Sequence, residues 1–340
     1  MLTKQQGGIL SMATTVNNAF SEFMKDIVNL DPNKTSTARS SRDNLIDNIN
    51  GFSGDDDFFD VYTDRNLKFG SFARRTKIRE LDDIDQMICL SAEGTRTYTE
   101  ATDCFYINGN DDDKRNGLLT YGTNHLNSTK VINRFISKLS ELNDYSKAEM
   151  HKNYEAATLK LKSYTWNFDI VPCFYTTGDF YLIPDGNGNW KKTDPRIDNS
   201  RTTEINQKHN GNLLNLIRLV KYWNKRKVTL TIGSYLLECM ILNIYDNKSG
   251  KENWWIDLEF RDVLYGLSVA IKNDVDDPKG IQGNLNTFSS EDREKISTAL
   301  YNAYCKACTA RQYEADGKQK QAIEKWGEVL GPSFPEYTGK

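Results

Sequence analysis

The stretch Phe69-Gly70-Ser71, followed after eleven residues by Asp83-Ile84-Asp85-Gln86-Met87-Ile88-Cys89-Leu90, decides how this chain folds. Leu67 and Phe69 lead into Gly70–Ser71 as a strand running into a tight turn. Residues 83–90 read as a second strand, with Ile84 and Asp85 on opposite faces. Side chains two apart on a strand share a face, about 6.5–7 Å apart along the chain, so Asp83 and Asp85 stand side by side. Asp82 points the other way with Ile84 and is not counted as a ligand. A third strand-borne carboxylate is Asp169, in the run Trp166-Asn167-Phe168-Asp169-Ile170-Val171-Pro172. Parallel carboxylates repel one another unless a cation lies between them. Magnesium prefers oxygen ligands and is commonly held by a few carboxylates together with substrate phosphates. Three such groups can hold two ions about 3.5–4 Å apart. Glycine lets the backbone approach a triphosphate closely, and the Gly70–Ser71 amides and the Ser71 hydroxyl can donate to phosphate oxygens. Taken singly, a Gly-Ser turn, an Asp-x-Asp and a lone Asp are ordinary features; their order and spacing carry the reading.

The bulk numbers fit. The chain has 340 residues, 38% hydrophobic and 27% charged, enough for a folded two-lobed protein. A net charge of −3 speaks against a protein built mainly to grip a nucleic-acid backbone. The six cysteines are scattered and read as reduced thiols; the isolated Cys305-x-x-Cys308 pair lies in a helical pattern with no second pair to complete a zinc site. His125, His151 and His209 form no ligand cluster. No run approaches the roughly 20 apolar residues of a membrane span, and no signal layout opens the chain. The expectation is a cytoplasmic protein with no membrane contact.

Along the chain, Phe20, Phe23, Met24 and Ile27 predict a helix over residues 17–30, which Asp31-Pro32 breaks; a second helix is expected over 35–49. Residues 95–122 read as a polar insertion of undefined structure. Val131, Ile132, Phe135, Ile136 and Leu139 predict a helix. Residues 156–161 and 165–174 predict paired strands, 180–182 another, and 184–199 a loop. From Ile205 onward the pattern is helical: Leu213–Trp223, then 235–245, 254–271 and 292–313, the last capped by Ser289 with Asp292. The expected organisation is a flexible tail at 1–11, a mixed α/β core at 12–204 and a helical domain at 205–340.

Phe69-Gly70-Ser71 with Asp82-Asp83-Ile84-Asp85-Gln86-Met87 and Asn167-Phe168-Asp169-Ile170-Val171-Pro172 resembles the DNA polymerase β-type nucleotidyltransferase superfamily; Gln86 departs from a position that is often apolar there. Arg218-Leu219-Val220-Lys221-Tyr222-Trp223-Asn224, followed by Gly233-Ser234-Tyr235-Leu236-Leu237-Glu238, resembles the helical half of oligoadenylate synthase and cyclic GMP-AMP synthase. The bacterial relatives of these, the CD-NTases of CBASS anti-phage systems, are the most similar group, with the loop from Ile183 to Pro195 and the ending from Lys325 to Pro335. The resemblance spans about residues 20–335. It implies a bilobal fold, a polymerase β-like core (mixed sheet with helices) packed against an oligoadenylate-synthase-like helical domain. It implies catalytic, metal-binding Asp83, Asp85 and Asp169, two magnesium ions with manganese as the alternative, and nucleotide binding by Gly70, Ser71, Lys221, Ser234 and Tyr235. Lys221 would snorkel from beside its apolar stripe to the triphosphate, and Tyr235 would stack on a base. The implied activity is joining ribonucleoside triphosphates into a cyclic oligonucleotide, a dinucleotide favoured, that switches on a separate effector; regulatory protein partners are compatible with it. The zinc insertion of the animal enzyme is absent, and the short basic run at 225–227 reads as a helix-end cluster, so stable nucleic-acid binding is not expected. Two other readings stay open: transfer to an RNA, protein or small-molecule acceptor, and a non-catalytic nucleotide-binding scaffold.

Overall fold

The computed structural model describes residues 13–226, 228–250 and 253–339; the expected tail at 1–11 and Lys227 of the basic run lie outside them. The chain divides into two compact units, one comprising Pro32–Thr203 with Pro278–Ile281, the other Met1–Asp31, Glu204–Asp277 and Gln282–Lys340.

The first unit is built on a mixed sheet. Its strands are β1 (Leu67–Lys68), β2 (Asp83–Cys89), β3 (Tyr98–Glu100), β4 (Phe105–Ile107), β5 (Glu149–Asn153), β6 (Ala156–Lys160), β7 (Asn167–Tyr175), β8 (Tyr181–Pro184) and β9 (Trp190–Thr193). Their order is β1-β2-β7-β8-β9-β4-β3, with β6 also on β7 and β5 on β6. β2 and β7 run parallel and every other pair is antiparallel. The alternation read from sequence is visible in burial: Ile84, Phe168 and Ile170 are fully buried on one face, while Asp83, Asp85 and Asp169 are only partly covered on the other. Further along, the acid-bearing face turns apolar, with Met87, Cys89, Ala156, Val171, Cys173 and Tyr181 packed together. The acids therefore stand at the rim of a rigid apolar floor.

In chain order the helices are α1 (Val16–Phe23), α2 (Pro32–Asn50), α3 (Gly70–Ala73), α4 (Asp111–Arg115), α5 (Ser128–Ser140), α6 (Pro195–Lys208), α7 (Leu213–Lys225), α8 (Ser234–Asp246), α9 (Ile256–Ala270), α10 (Ser290–Ala315) and α11 (Gln319–Leu330). α5 buries Val131, Ile132, Phe135 and Leu139 and packs across β5–β8.

Three expectations change. The first helical stretch ends before Asp31-Pro32 as expected, but α2 begins at Pro32 itself and not at residue 35, and Pro195 starts α6 inside the expected loop; proline lacks only an N–H that the first turn cannot use. The segments expected to be an insertion (95–122) and a loop (184–199) supply β3, β4, β9 and the start of α6, because Trp190 is buried against Phe174 and bonded through its indole N–H to the Leu126 carbonyl. The core expected from residue 12 starts instead at Pro32, while the division near 204 falls within α6. α1 belongs with the helical unit because Phe20 meets Trp326 edge-on at 4.9 Å and Phe334 at 5.1 Å, and Phe23 meets Tyr222 at 5.0 Å. Each such pair is worth about 0.5–1.5 kcal/mol beyond area burial.

Candidate active site

Gly70 is where β1 gives way to α3. Its φ is +73°, a region that L side chains avoid and glycine enters freely. A Cβ placed there would sit 1.8 Å from Asp85 Oδ2 and 2.9 Å from Asp85 Cβ. The corner is therefore packed directly on the second acid of β2. Ser71 follows in the first turn, whose N–H groups have no intrahelical acceptor; among the described residues no group bonds the Ser71 hydroxyl, while its carbonyl takes the Thr76 and Lys77 amides.

The ladder sets the acids. Asp85 is the register partner of Asp169 across parallel β2 and β7, and Asp83 is the partner of Asn167. Neighbouring strands lie about 4.8 Å apart, so Asp85 and Asp169 are close neighbours on one face, with Asp83 one pleat away on that face. The electrostatics follow. Burial, then the charges of Asp83 and Asp169, push the Asp85 carboxyl up to about 7, against the pull of Lys77 and Arg74. Asp169 is raised too, by burial and by Asp83, partly offset by its bond from Thr158 and by His151. The Lys77 ammonium, little exposed, pairs with Asp82 and Asp83. Burial alone would depress it, but those two bonds hold it above its ordinary value.

An all-carboxylate donor set suits a hard cation such as magnesium better than zinc, and the repulsion of Asp83 and Asp169 on Asp85 is what a bound cation would relieve. Among the described residues no three acidic, His or Cys side chains are already drawn together as a finished cage: Asp83 is turned to Lys77 and Asp169 Oδ1 to Thr158. A carboxylate swings about two single bonds, whereas the face it occupies is fixed by the backbone ladder. The three acids therefore fit as ion ligands by placement.

In the helical unit, Lys221 does not lie beside the stripe of α7 but within it, 6% exposed and paired with the buried Glu238 of α8. To reach a nucleotide it would have to leave that carboxylate. Ser234 is the exposed first residue of α8 after an N-cap at Gly233, and the half-buried Tyr235 donates its hydroxyl to Asp277 at 2.8 Å. The sequence reading missed Lys77 and Thr158. No spacing rule ties either to the acids, since both are brought in by tertiary pairing.

A two-carboxylate strand, a third acid on its parallel neighbour and a glycine-serine corner packed on them define a nucleotidyltransferase core of the polymerase β type. Over 335 residues the chain is 44% identical to a probable cyclic nucleotide synthase of Bacillus cereus strain VD146, covering 96% of this chain and 99% of that one. The chain thus belongs to the CD-NTase family of cyclic nucleotide synthases and is a nucleotidyltransferase. A cyclic AMP-AMP-AMP synthase of Acinetobacter sp. strain ATCC 27244 / 9458 is 28% identical over 57% of each chain. The fold is shared with CdnC of E. coli MS115-1, solved in complex with HORMA-deltaN, at a TM-score of 0.68 and 18% identity over 94% of this chain and 98% of that one; the same protein solved with ATP gives 0.67. No protein-family model matches the chain. No helix among the described residues is long and apolar enough to cross a membrane.

Proposed function

We propose that this enzyme condenses ribonucleoside triphosphates into a cyclic oligonucleotide with Asp83, Asp85 and Asp169 as ligands for two magnesium ions, and that the product is an anti-phage signal read by a separate effector in the cytoplasm. The observation that carries it is the shared face of the three acids beside Gly70–Ser71. When bound, the ions would lower the pKa of an attacking 3′-hydroxyl and neutralise charge on the leaving pyrophosphate. The chain's own part is to hold the reactants. The glycine corner accepts phosphate against the backbone, and Ser71 offers an unused hydroxyl. Asp85 has to give up its proton to act as a ligand. Ser234 and Tyr235 keep accessible edges for a nucleotide. A cyclic dinucleotide is the smaller-ring reading; the name of the Acinetobacter relative supports a trinucleotide, and product mass decides. Regulation by a protein partner is part of the proposal, since CdnC was solved with a HORMA protein.

The test is incubation of purified protein with labelled triphosphates and magnesium, followed by phosphatase. A phosphatase-resistant product is expected, absent with Asp83→Ala; only linear products, or none in any triphosphate mixture, would count against the proposal. A second expected result concerns pH. Because Asp85 keeps its proton up to about 7, an ion must displace it. Apparent magnesium affinity should fall about tenfold for each pH unit below 7, with a proton released on binding. Calorimetry in buffers of different ionisation enthalpy reads both, and an affinity flat between pH 5.5 and 7.5, in ~0.5-unit steps, would contradict it.

A further inference from the structure

A single row of side chains crosses the acid-bearing face. Asp85 on β2 partners Asp169 on β7, Asp169 partners Thr158 on β6, and Thr158 partners His151 on β5. Directly opposed residues on neighbouring strands project to the same side. Thr158 is 4% exposed, and its hydroxyl donates to Asp169 Oδ1 at 2.5 Å, the length of a charge-assisted O–H···O⁻ bond. The next residue of β6 on this face is Ala156, part of the apolar floor. A valine would satisfy volume and strand propensity at Thr158 equally well. What it would lack is the donor, and a buried hydroxyl is worth having only where it is bonded.

We propose that Thr158 is a positioning residue for Asp169: its hydroxyl engages Oδ1 and so fixes the carboxylate with Oδ2 left for a divalent ion. This rests on the reading of Asp169 as an ion ligand. The physical case is that a carboxylate with two equivalent oxygens and free rotation would otherwise sample several orientations, at an entropic cost on binding. One bond from a residue held rigidly in the adjacent strand removes most of that freedom. Partners that orient ligands in this way typically account for 10–100-fold in metal affinity.

The experiment measures Mn2+ binding to the full chain by electron paramagnetic resonance, with a non-hydrolysable triphosphate present and no turnover. Thr158→Val is expected to weaken ion binding about tenfold, since valine matches the shape but not the hydroxyl. Thr158→Ser is expected to stay within about twofold of the wild type. In activity, Thr158→Val should raise the magnesium concentration needed for half-maximal rate while the triphosphate KM at saturating magnesium stays unchanged. Melting in chelator checks that each variant is folded. Wild-type binding by Thr158→Val, or an equal loss in Thr158→Ser, would overturn the proposal, the latter because it would mark packing as the cause. Asp169→Asn separates the two levels: if that variant binds the ion as tightly as the wild type, the metal assignment itself falls, and the role of Thr158 falls with it.

Discussion

Asp85→Asn is expected to reduce cyclic-nucleotide synthesis by about 10³-fold or more while making the protein more stable in chelator at pH 8. The two effects share one cause. Asp85 is largely enclosed, faces Asp169 across the ladder and has Asp83 one pleat away. Its carboxyl is pushed from an ordinary 3.8 up to about 7 by burial and by those two like charges. The folded state therefore holds a proton there that the unfolded chain gives up, and this contribution is fully present below the unfolded value. As pH rises from about 4 through 7 the folded protein loses stability relative to a neutral side chain at that position, and above 7 the whole difference is in force. By the usual conversion this amounts to about 4 kcal/mol, with roughly 2–4 °C in melting temperature for each kcal/mol. Asparagine keeps the shape and removes the charge. The expected signature is a melting temperature above wild type at pH 8, converging with it near pH 4. Asp83→Asn should lose activity just as completely without gaining stability, because Asp83 carries an attractive pair with Lys77. Thermal melts of both variants across pH, with product measured alongside, decide it. Equal melting curves for Asp85→Asn and wild type at pH 8 would show that the acids do not burden one another as described.

The acids were legible in the sequence because a strand's period of two is local information. Asp83 and Asp85 share a face wherever that strand goes, and Asp169 alternates with Phe168 and Ile170 in the same way. Gly70–Ser71, an ordinary turn by itself, was legible because it ends a strand and eleven residues separate it from Asp83-Ile84-Asp85. What the sequence withheld is register and partnership. Nothing in the chain says that Asp169 lies opposite Asp85 and not opposite Asp83, yet that one step sets which acid is most strongly perturbed. Nothing says that Thr158 lies opposite Asp169, or that Lys77 turns back onto Asp83. Lys221 shows the limit plainly: its helix was readable, but its place was read as beside the apolar stripe, whereas it lies within it, with Glu238, seventeen residues on, buried against it from a different helix. The fold behaves similarly. The apolar spacing of Phe20 and Phe23 announced a covered helix face, and only packing shows that Trp326, Phe334 and Tyr222 do the covering. Trp190 sits among Asp, Gly, Asn and Lys residues that read as a loop, and its burial makes a strand of them.

Gly70→Ala should then be nearly as damaging to catalysis as removal of an acid, although it touches no charge. Two penalties act at once. The backbone at position 70 has φ +73°, and holding an L residue there costs about 1–2 kcal/mol. The added methyl would also stand 1.8 Å from Asp85 Oδ2, 2.5 Å from Cγ and 2.9 Å from Cβ. Swinging the carboxylate aside relieves the first two contacts but not the third, so β2 and the corner must separate as well. The second penalty decides the outcome: a loss of 1–2 kcal/mol leaves a domain of this size folded, since whole domains are stable by about 5–15 kcal/mol, but a displacement of about 1 Å between reacting groups can cost 10²-fold in rate. The expected variant is folded, melts a few degrees lower and makes cyclic product at least about 10²-fold more slowly, with the defect in kcat. Ser71→Ala, which removes one hydroxyl and moves nothing, should cost only about tenfold and appear chiefly in KM for the triphosphate. The order of the two variants is the discriminating result. If Ser71→Ala proved the more damaging, the corner would act mainly through the serine hydroxyl, and the close approach of the Gly70 backbone to Asp85 would be incidental to catalysis.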